Sequence, residues 1–260
     1  MTLVLPPRLT ASAQSLRDAA HRRGLPTVQL PTFEVPAGLR ADHLHAGPSF
    51  ADVVAPLLGI APLEAEPGWL TGLPREFTRR EITLVTIGEA YELRRPAFIK
   101  SPNDKNIPAM IYTDGSHLPG PDAVDRRTPV LVSDIVDFTA EYRLHMLGGV
   151  VYAGSQYAAT GRLHLSPPST DALAFGTDLL AAYGHTLPSA IVVDVGLVDG
   201  CWAVIEANAA WASGAYVADP DLVLDVVLRA AGPTASVSAH DRQFIRRPQR
   251  PELAPQTSSV

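Results

Sequence analysis

Two lysines and three oxygen-bearing side chains have the types and spacing to do chemistry in this chain. Lys100 and Lys105 are its two lysines among 21 basic residues, five positions apart. A lysine is a compact charge on a flexible stem and can follow a phosphate where the arginine fork does so less well. Further on, Asp194 sits in one apolar, β-branched run, and Glu206 and Asn208 close a second, with Asp199-Gly200 between them. Asp-Gly between two such runs is a strong hairpin signal. Buried carboxylates are costly unless paired or bound to metal. Glu206 and Asn208 are two apart and leave a strand on one face. Whether Asp194 joins them depends on the turn. A two-residue loop at Asp199-Gly200 pairs Asp194 with Ile205 and turns it to the other face. A three-residue loop pairs it with Val204 or Glu206 and completes an all-oxygen cluster. Such a hard donor set suits Mg2+ shared with phosphates rather than zinc. The plainer reading is a polar strand face turned to solvent.

The elements that must hold these residues follow in order. A short strand at 3–5, a helix at 13–23 capped by Thr10 or Ser12 and closed by Gly24, and a strand at 28–30 make a β-α-β opening that suits a parallel sheet. Residues 31–74 are broken by proline and glycine, with a helix expected at 50–58 and a short one near Trp69. His43 and His45 lack a partner in metal-ligand spacing and are expected in loops or at the surface. Residues 74–91 read as a helix through Phe77, Ile82, Val85 and Ala90, with the β-branched run at 82–87 standing against it. Arg79 and Arg80 in its first half are placed for an anion or a surface salt bridge. Strands are expected at 97–100, 110–112, 129–133 and 141–147. Gly148-Gly149 then turns the chain into a strand at 150–152. Glu141, Arg143 and His145 share one face by parity. A helix capped by Ser169 or Thr170 runs to about 182, and a last one starts at Asp219 or Pro220 and runs to about 231. From Gly232 the chain is polar and proline-rich, and 246–260 reads as disordered.

Composition bounds the class. The 260 residues are 46% hydrophobic, ample for a core, and a net charge of −6 argues against a nucleic-acid partner. One cysteine, Cys201, excludes an internal disulfide framework. The start is too short and proline-broken for a signal peptide, and no apolar run approaches the ~18 residues of a membrane span. A cytoplasmic protein without membrane association is the expectation. His117, His145, His164, His185 and His240 share no metal spacing and are expected to be structural or exposed.

A strand ending in lysine before a loop, a strand and linker running into Glu141-Tyr142-Arg143, an acidic hairpin, and Glu206-x-Asn208 at its end now stand in order. Over residues 80–216 that order resembles the ATP-grasp superfamily of carboxylate-amine ligases, and within it short bacterial and phage members. The resemblance implies an α/β fold built of α+β subdomains: a small N-terminal lobe at 1–75, an ATP-grasp domain at 76–232 with its linker near 131–140, and a tail at 233–260. It further implies that Lys100 reaches the α- and β-phosphates of ATP and that Lys105 covers the phosphates. In this family that loop is usually glycine-rich; here it has none, and Lys105 would substitute. Ser133, Asp134 and Val136 match the edge that binds adenine, and Glu141 the glutamate that binds ribose. Arg143 would contact phosphate or an acyl phosphate, and Asp194, Glu206 and Asn208 would hold Mg2+. Ser213-Gly214 would meet the acceptor. The implied reaction joins a carboxylate, on a small molecule, amino acid or peptide, to an amine acceptor through an acyl phosphate. A kinase on the same fold and a non-catalytic nucleotide-binding module use the same residues.

Overall fold

The computed structural model describes residues 1–103 and 107–247. The chain opens as β1 (Leu3–Leu5), α1 (Ala11–Arg22) and β2 (Thr27–Gln29), followed by β3 (His43–Leu44). β2 and β3 both pair parallel to β1, giving the order β2-β1-β3. The Thr10 hydroxyl accepts the Ala13 N–H to start α1, the capping that its position predicts. Next come α2 (Pro48–Leu58) and β4 (Ile60–Pro62), joined by left-handed Gly59. His43 and His45 correct the surface expectation: they are 7% and 5% exposed. His43 Nδ1 lies 2.8 Å from the Leu228 carbonyl.

The expected helix at 74–91 is instead three elements. α3 (Arg75–Thr78) is one turn, Arg79 reverses the chain at φ 55°, β5 spans Ile82–Thr86, and α4 spans Ile87–Ala90. The β-branched run prevails over the helical stripe because β5 pairs along its whole length with β8. Thr86 then starts α4 through a reciprocal cap with Glu89. With β6 (Ala97–Lys100), β7 (Met110–Tyr112) and β8 (Pro129–Ser133), β5 forms an antiparallel sheet of order β5-β8-β6-β7. Its buried face presents Ile99, Val130 and Val132, which pack with Ile87 of α4.

A second antiparallel sheet follows, of order β11-β10-β9-β12-β13. Its strands are β9 (Ala140–Leu147), β10 (Val150–Ala159), β11 (Arg162–Ser166), β12 (Ala190–Val198) and β13 (Cys201–Asn208), with α5 (Thr170–Tyr183) crossing between β11 and β12. β10 is far longer than its expected three residues, and β11 lies where no strand is expected. The small residues Ala153, Gly154 and Ser155 hide the strand signal, and β11 is an exposed edge. α6 (Pro220–Ala230) packs against this sheet and leads into β14 (Ala231–Pro233), which pairs with β4. The segment after Gly232 returns to the body of the protein rather than forming a free tail, with Phe244 and Arg246 buried. Arg246 is buried, reaching Asp52 and Glu64 and lying 5.9 Å from the Trp211 ring centroid. The remainder of the expected disordered stretch lies outside the described residues.

Candidate active site

The β12–β13 hairpin resolves the question of the turn in an unexpected way. The loop is the two-residue one: Val198 faces Cys201 across Asp199 and Gly200, which lie at φ 50° and 74°. Two left-handed residues are what this tight turn demands. Pairing is regular to Val195 opposite Val204, and then Asp194 pairs with Glu206. Ile205 is therefore an extra residue, a β-bulge. It restores the alignment of Asp194 with Glu206 that a plain two-residue hairpin would have lost.

Charges meet at this point. Arg143 on β9 faces Asp194 in the ladder and grips it through two bonds, Nε to Oδ1 at 2.9 Å and Nη2 to Oδ2 at 2.7 Å. Its third nitrogen, Nη1, donates to the Gly214 carbonyl at 3.3 Å. Burial works against the Arg143 charge, but Asp194 holds it and raises the guanidinium further. The Asn208 amide donates to Glu206 Oε1 at 2.7 Å and to Asp194 Oδ2 at 3.3 Å. Lys100, at the end of β6, places its ammonium on Glu206 Oε2. Burial lowers Lys100 to about 8, with Asp194 opposing and Arg80 adding to the fall.

A cavity of about 330 Å³ opens between the two sheets next to this cluster. Ile82, Phe98, Ile111 and Leu131 line it from the smaller sheet, and Glu141, Tyr157, Ile205 and Glu206 from the larger one. The connection between the sheets closes one side with Ser133, Asp134 and Val136. The Asp134 carboxylate accepts the Glu81 N–H at 2.9 Å, and the Ser133 hydroxyl donates to the Asp134 carbonyl at 3.0 Å, so both side chains brace this connection. Glu141 accepts the Tyr157 hydroxyl at 2.9 Å. Burial raises Glu141 above the usual carboxylate range, with the Tyr157 bond opposing and Asp194 contributing. The Tyr157 ring stacks on Tyr216 with centroids 5.0 Å apart, and Arg143 lies over both rings.

Of the residues singled out from the sequence, Lys100, Ser133, Asp134, Val136, Glu141 and Glu206 thus line one cavity. Asp194, Asn208 and Arg143 stand directly behind Glu206, with Asp194 1% exposed. Lys105 lies outside the described residues. Glu141 and Arg143 share a face but do not pair with each other; each has found a partner on a neighbouring strand. Ser213 is buried and donates to the Ala209 carbonyl at 2.8 Å. Tyr157 escapes sequence reasoning because the length of its strand does. Neither Arg79 nor Arg80 makes an ion pair among the described residues; both donate to main-chain carbonyls of β13, and burial lowers Arg80 to about 10 with the Asp134 charge opposing.

The donor set suits a hard divalent cation. Glu206 offers a carboxylate to the cavity and Asn208 an amide oxygen beside it, and the Lys100 ammonium on Glu206 marks a place where positive charge is already favoured. Among the described residues, no three His, Cys, Asp or Glu side chains gather as a metal site, so an ion here would need the Asn208 oxygen.

Comparison with known proteins bears on the same elements. A family model for the ATP-grasp domain, the second family of its clade, matches residues 77–226. Among solved structures, a RimK domain ATP-grasp protein from Sphaerobacter thermophilus DSM 20745 aligns over 87% of this chain and 99% of its own, at 15% identity and a TM-score of 0.52. D-alanine–D-alanine ligase from Bacillus anthracis aligns over 88% and 96%, at 11% identity and 0.50. The same ligase complexed with ATP aligns over 88% and 97%, at 12% identity and 0.51. At such identities the likeness is one of fold. No curated protein sequence matches the chain significantly. Among the described residues no helix is long and apolar enough to cross a membrane.

Proposed function

The chain belongs to the ATP-grasp superfamily, and from that premise we propose that it is an ATP-dependent ligase joining a carboxylate to an amine through an acyl phosphate. One observation carries the reading. One cavity between two sheets is lined by apolar side chains, by a lysine–glutamate pair and by a half-buried glutamate–tyrosine pair. That is the mixed chemistry a nucleoside triphosphate needs.

In this reading Ile82, Phe98, Ile111, Leu131 and Val136 enclose adenine, and the main chain at 133–136 reads its edge. Glu141, oriented by Tyr157, takes the ribose hydroxyls. Lys100 leaves Glu206 for the α- and β-phosphates, and Lys105 covers the phosphates beyond. Glu206 and Asn208, with Asp194 holding the Asn208 amide from behind, would bind Mg2+. That ion supplies charge neutralisation between the phosphates. A carboxylate is a poor electrophile. Its oxygen attacks the γ-phosphorus and ADP departs. The amine then attacks the acyl carbon and inorganic phosphate leaves. The protein's part is positioning and charge stabilisation. Arg143 Nη1, the one nitrogen of the fork not engaged by Asp194, would contact the acyl phosphate while the pair with Asp194 holds the guanidinium in place. The segment at 211–216, which reaches Arg143 through Gly214, is the cover that would keep water from it. The substrate class is a small molecule, amino acid or peptide bearing a carboxylate.

Hydroxylamine trapping tests this. Protein, ATP, Mg2+ and a panel of carboxylates are incubated with hydroxylamine as a general nucleophile. The expected result is ADP, phosphate and a hydroxamate in equal amounts for one class of carboxylate. ATP consumption with phosphate retained on the acceptor would overturn the ligase in favour of a kinase.

A further inference from the structure

We propose that Arg80 is a positioning residue for the acidic end of the site, acting through the β13 bulge; the inference rests on the reading of Glu206 as a ligand of Mg2+-bound ATP. In a regular strand Ile205 and Glu206 would point to opposite faces. The bulge places these neighbours side by side, and both line the cavity, one apolar and one acidic. It also leaves two consecutive carbonyls outside the ladder.

Arg80 takes both. Nη1 donates to the Val204 carbonyl at 2.8 Å and Nη2 to the Ile205 carbonyl at 2.9 Å. Nη1 also reaches the Thr78 carbonyl at 3.0 Å, tying the bulge to the end of α3. The Phe138 ring supports the guanidinium from 5.5 Å. Arg80 is 7% exposed at the cavity wall, and its donors go to neutral carbonyls, with the Asp134 charge nearby only partly offsetting the cost of burial. The preceding residue, Arg79, adopts a left-handed backbone rare for anything but glycine, asparagine or aspartate, and Thr78 Oγ1 donates to the Arg80 carbonyl at 2.9 Å. The local chain is thus bent and braced to aim one guanidinium at one irregularity. Only a planar fork spans two adjacent carbonyls; an ammonium is a single point. What the arrangement fixes is the direction of Glu206, and with it the donors facing the phosphates.

Arg80→Lys and Phe138→Leu test the proposal. Calorimetry gives the Mg2+ concentration for half-maximal ATP binding, the metal-free nucleotide affinity and, by unfolding, the thermal midpoint. Hydrogen exchange of residues 201–208 is followed in the ligand-free protein. Arg80→Lys is expected to raise the Mg2+ requirement by about tenfold or more, the usual cost of losing a residue that orients a ligand. Arg80 and Phe138 also border the cavity, so metal-free nucleotide affinity is the control. It stays within a few-fold while exchange at 204–206 speeds up. A metal-free loss as large as the Mg2+-dependent one would show that Arg80 contacts the nucleotide itself and overturn the inference. Phe138→Leu moves the same readings in the same direction by less, and decides the matter if Arg80→Lys does not fold. Wild-type Mg2+ dependence in a folded Arg80→Lys protein, with only the thermal midpoint lowered, would overturn the inference and leave the ligase reading standing. A wild-type protein without Mg2+-dependent nucleotide binding would overturn both.

Discussion

Asp194 is the most buried acid of the site, 1% exposed, and its two oxygens are occupied by Arg143 and Asn208. A buried carboxylate left without its partner costs ~3–5 kcal/mol, so this pair anchors the site whatever else binds there. His145, beside Arg143 on β9, is 0% exposed, and neither ring nitrogen has a hydrogen-bond partner among the described residues. Burial lowers it to about 3, with Arg143 and His45 adding to the fall, and burial lowers His45 to about 4. Both rings stay neutral in the folded protein and take up protons below 6.5 once unfolded. The stability this represents is complete above pH 6.5 and is lost as pH falls toward the folded values. Each proton taken up on unfolding costs up to about 1.4 kcal/mol per pH unit. Urea unfolding across pH 7.5 to 4.5 should therefore show a steep acid decline, shallower by about one proton in His145→Leu. Parallel declines in the two proteins would show that His145 is not the group responsible. The sequence made Lys100, Glu141, Asp194, Glu206 and Asn208 visible because each is a charged or amide side chain set in or beside an apolar strand. It could not show that His45 and His145 are interior, since burial there comes from the packing of two distant segments.

At the scale of elements, two bulges shape the cavity. Ile205 is the extra residue of β13. In the β9–β10 ladder Gln156 pairs with Tyr142 and Ala158 with Glu141, making Tyr157 the extra residue there. Both extra residues line the cavity. Strict alternation, the rule by which strands are read from sequence, puts such residues on the wrong face or says nothing of them. That is why the Asp199-Gly200 hairpin was legible while the route by which Asp194 faces Glu206 was not. Capped helices at 11–22, 170–183 and 220–230 were equally legible, since Thr10, Ser169 and Asp219 each make the cap their position suggests. The strand at 82–86 was obscured by a helical stripe that tertiary pairing overrode. Gly200, at φ 74° with open space around its Cα, tests the hairpin directly. Gly200→Ala meets no clash but must adopt a left-handed backbone, and is expected to cost ~1–2 kcal/mol in urea unfolding. No loss, or a gain, would mean the turn is not of this type.

Across the whole molecule, the cleft between the two sheets is held by a body that closes on itself. β14 pairs with β4, Leu63 bridges to Ile245, and Arg246 binds Asp52 and Glu64, so the C-terminal segment straps the N-terminal lobe to the larger sheet. Trp211, wholly buried, donates to the Leu63 carbonyl at 2.8 Å and ties the segment after Asn208 to the same strap. Ligand binding at the cleft should therefore report as stability of the whole fold. The measurement that bears most directly on the central claim is thermal unfolding of wild type and Glu206→Gln, each alone, with Mg2+, with ATP, and with both. At about a hundredfold over its Kd, a ligand that binds only the folded state stabilises it by ~2.7 kcal/mol. The account predicts an upward shift in wild type chiefly when Mg2+ and ATP are present together, and its loss in Glu206→Gln. No nucleotide-dependent shift in wild type over a wide concentration range, or an undiminished shift in Glu206→Gln, would contradict it.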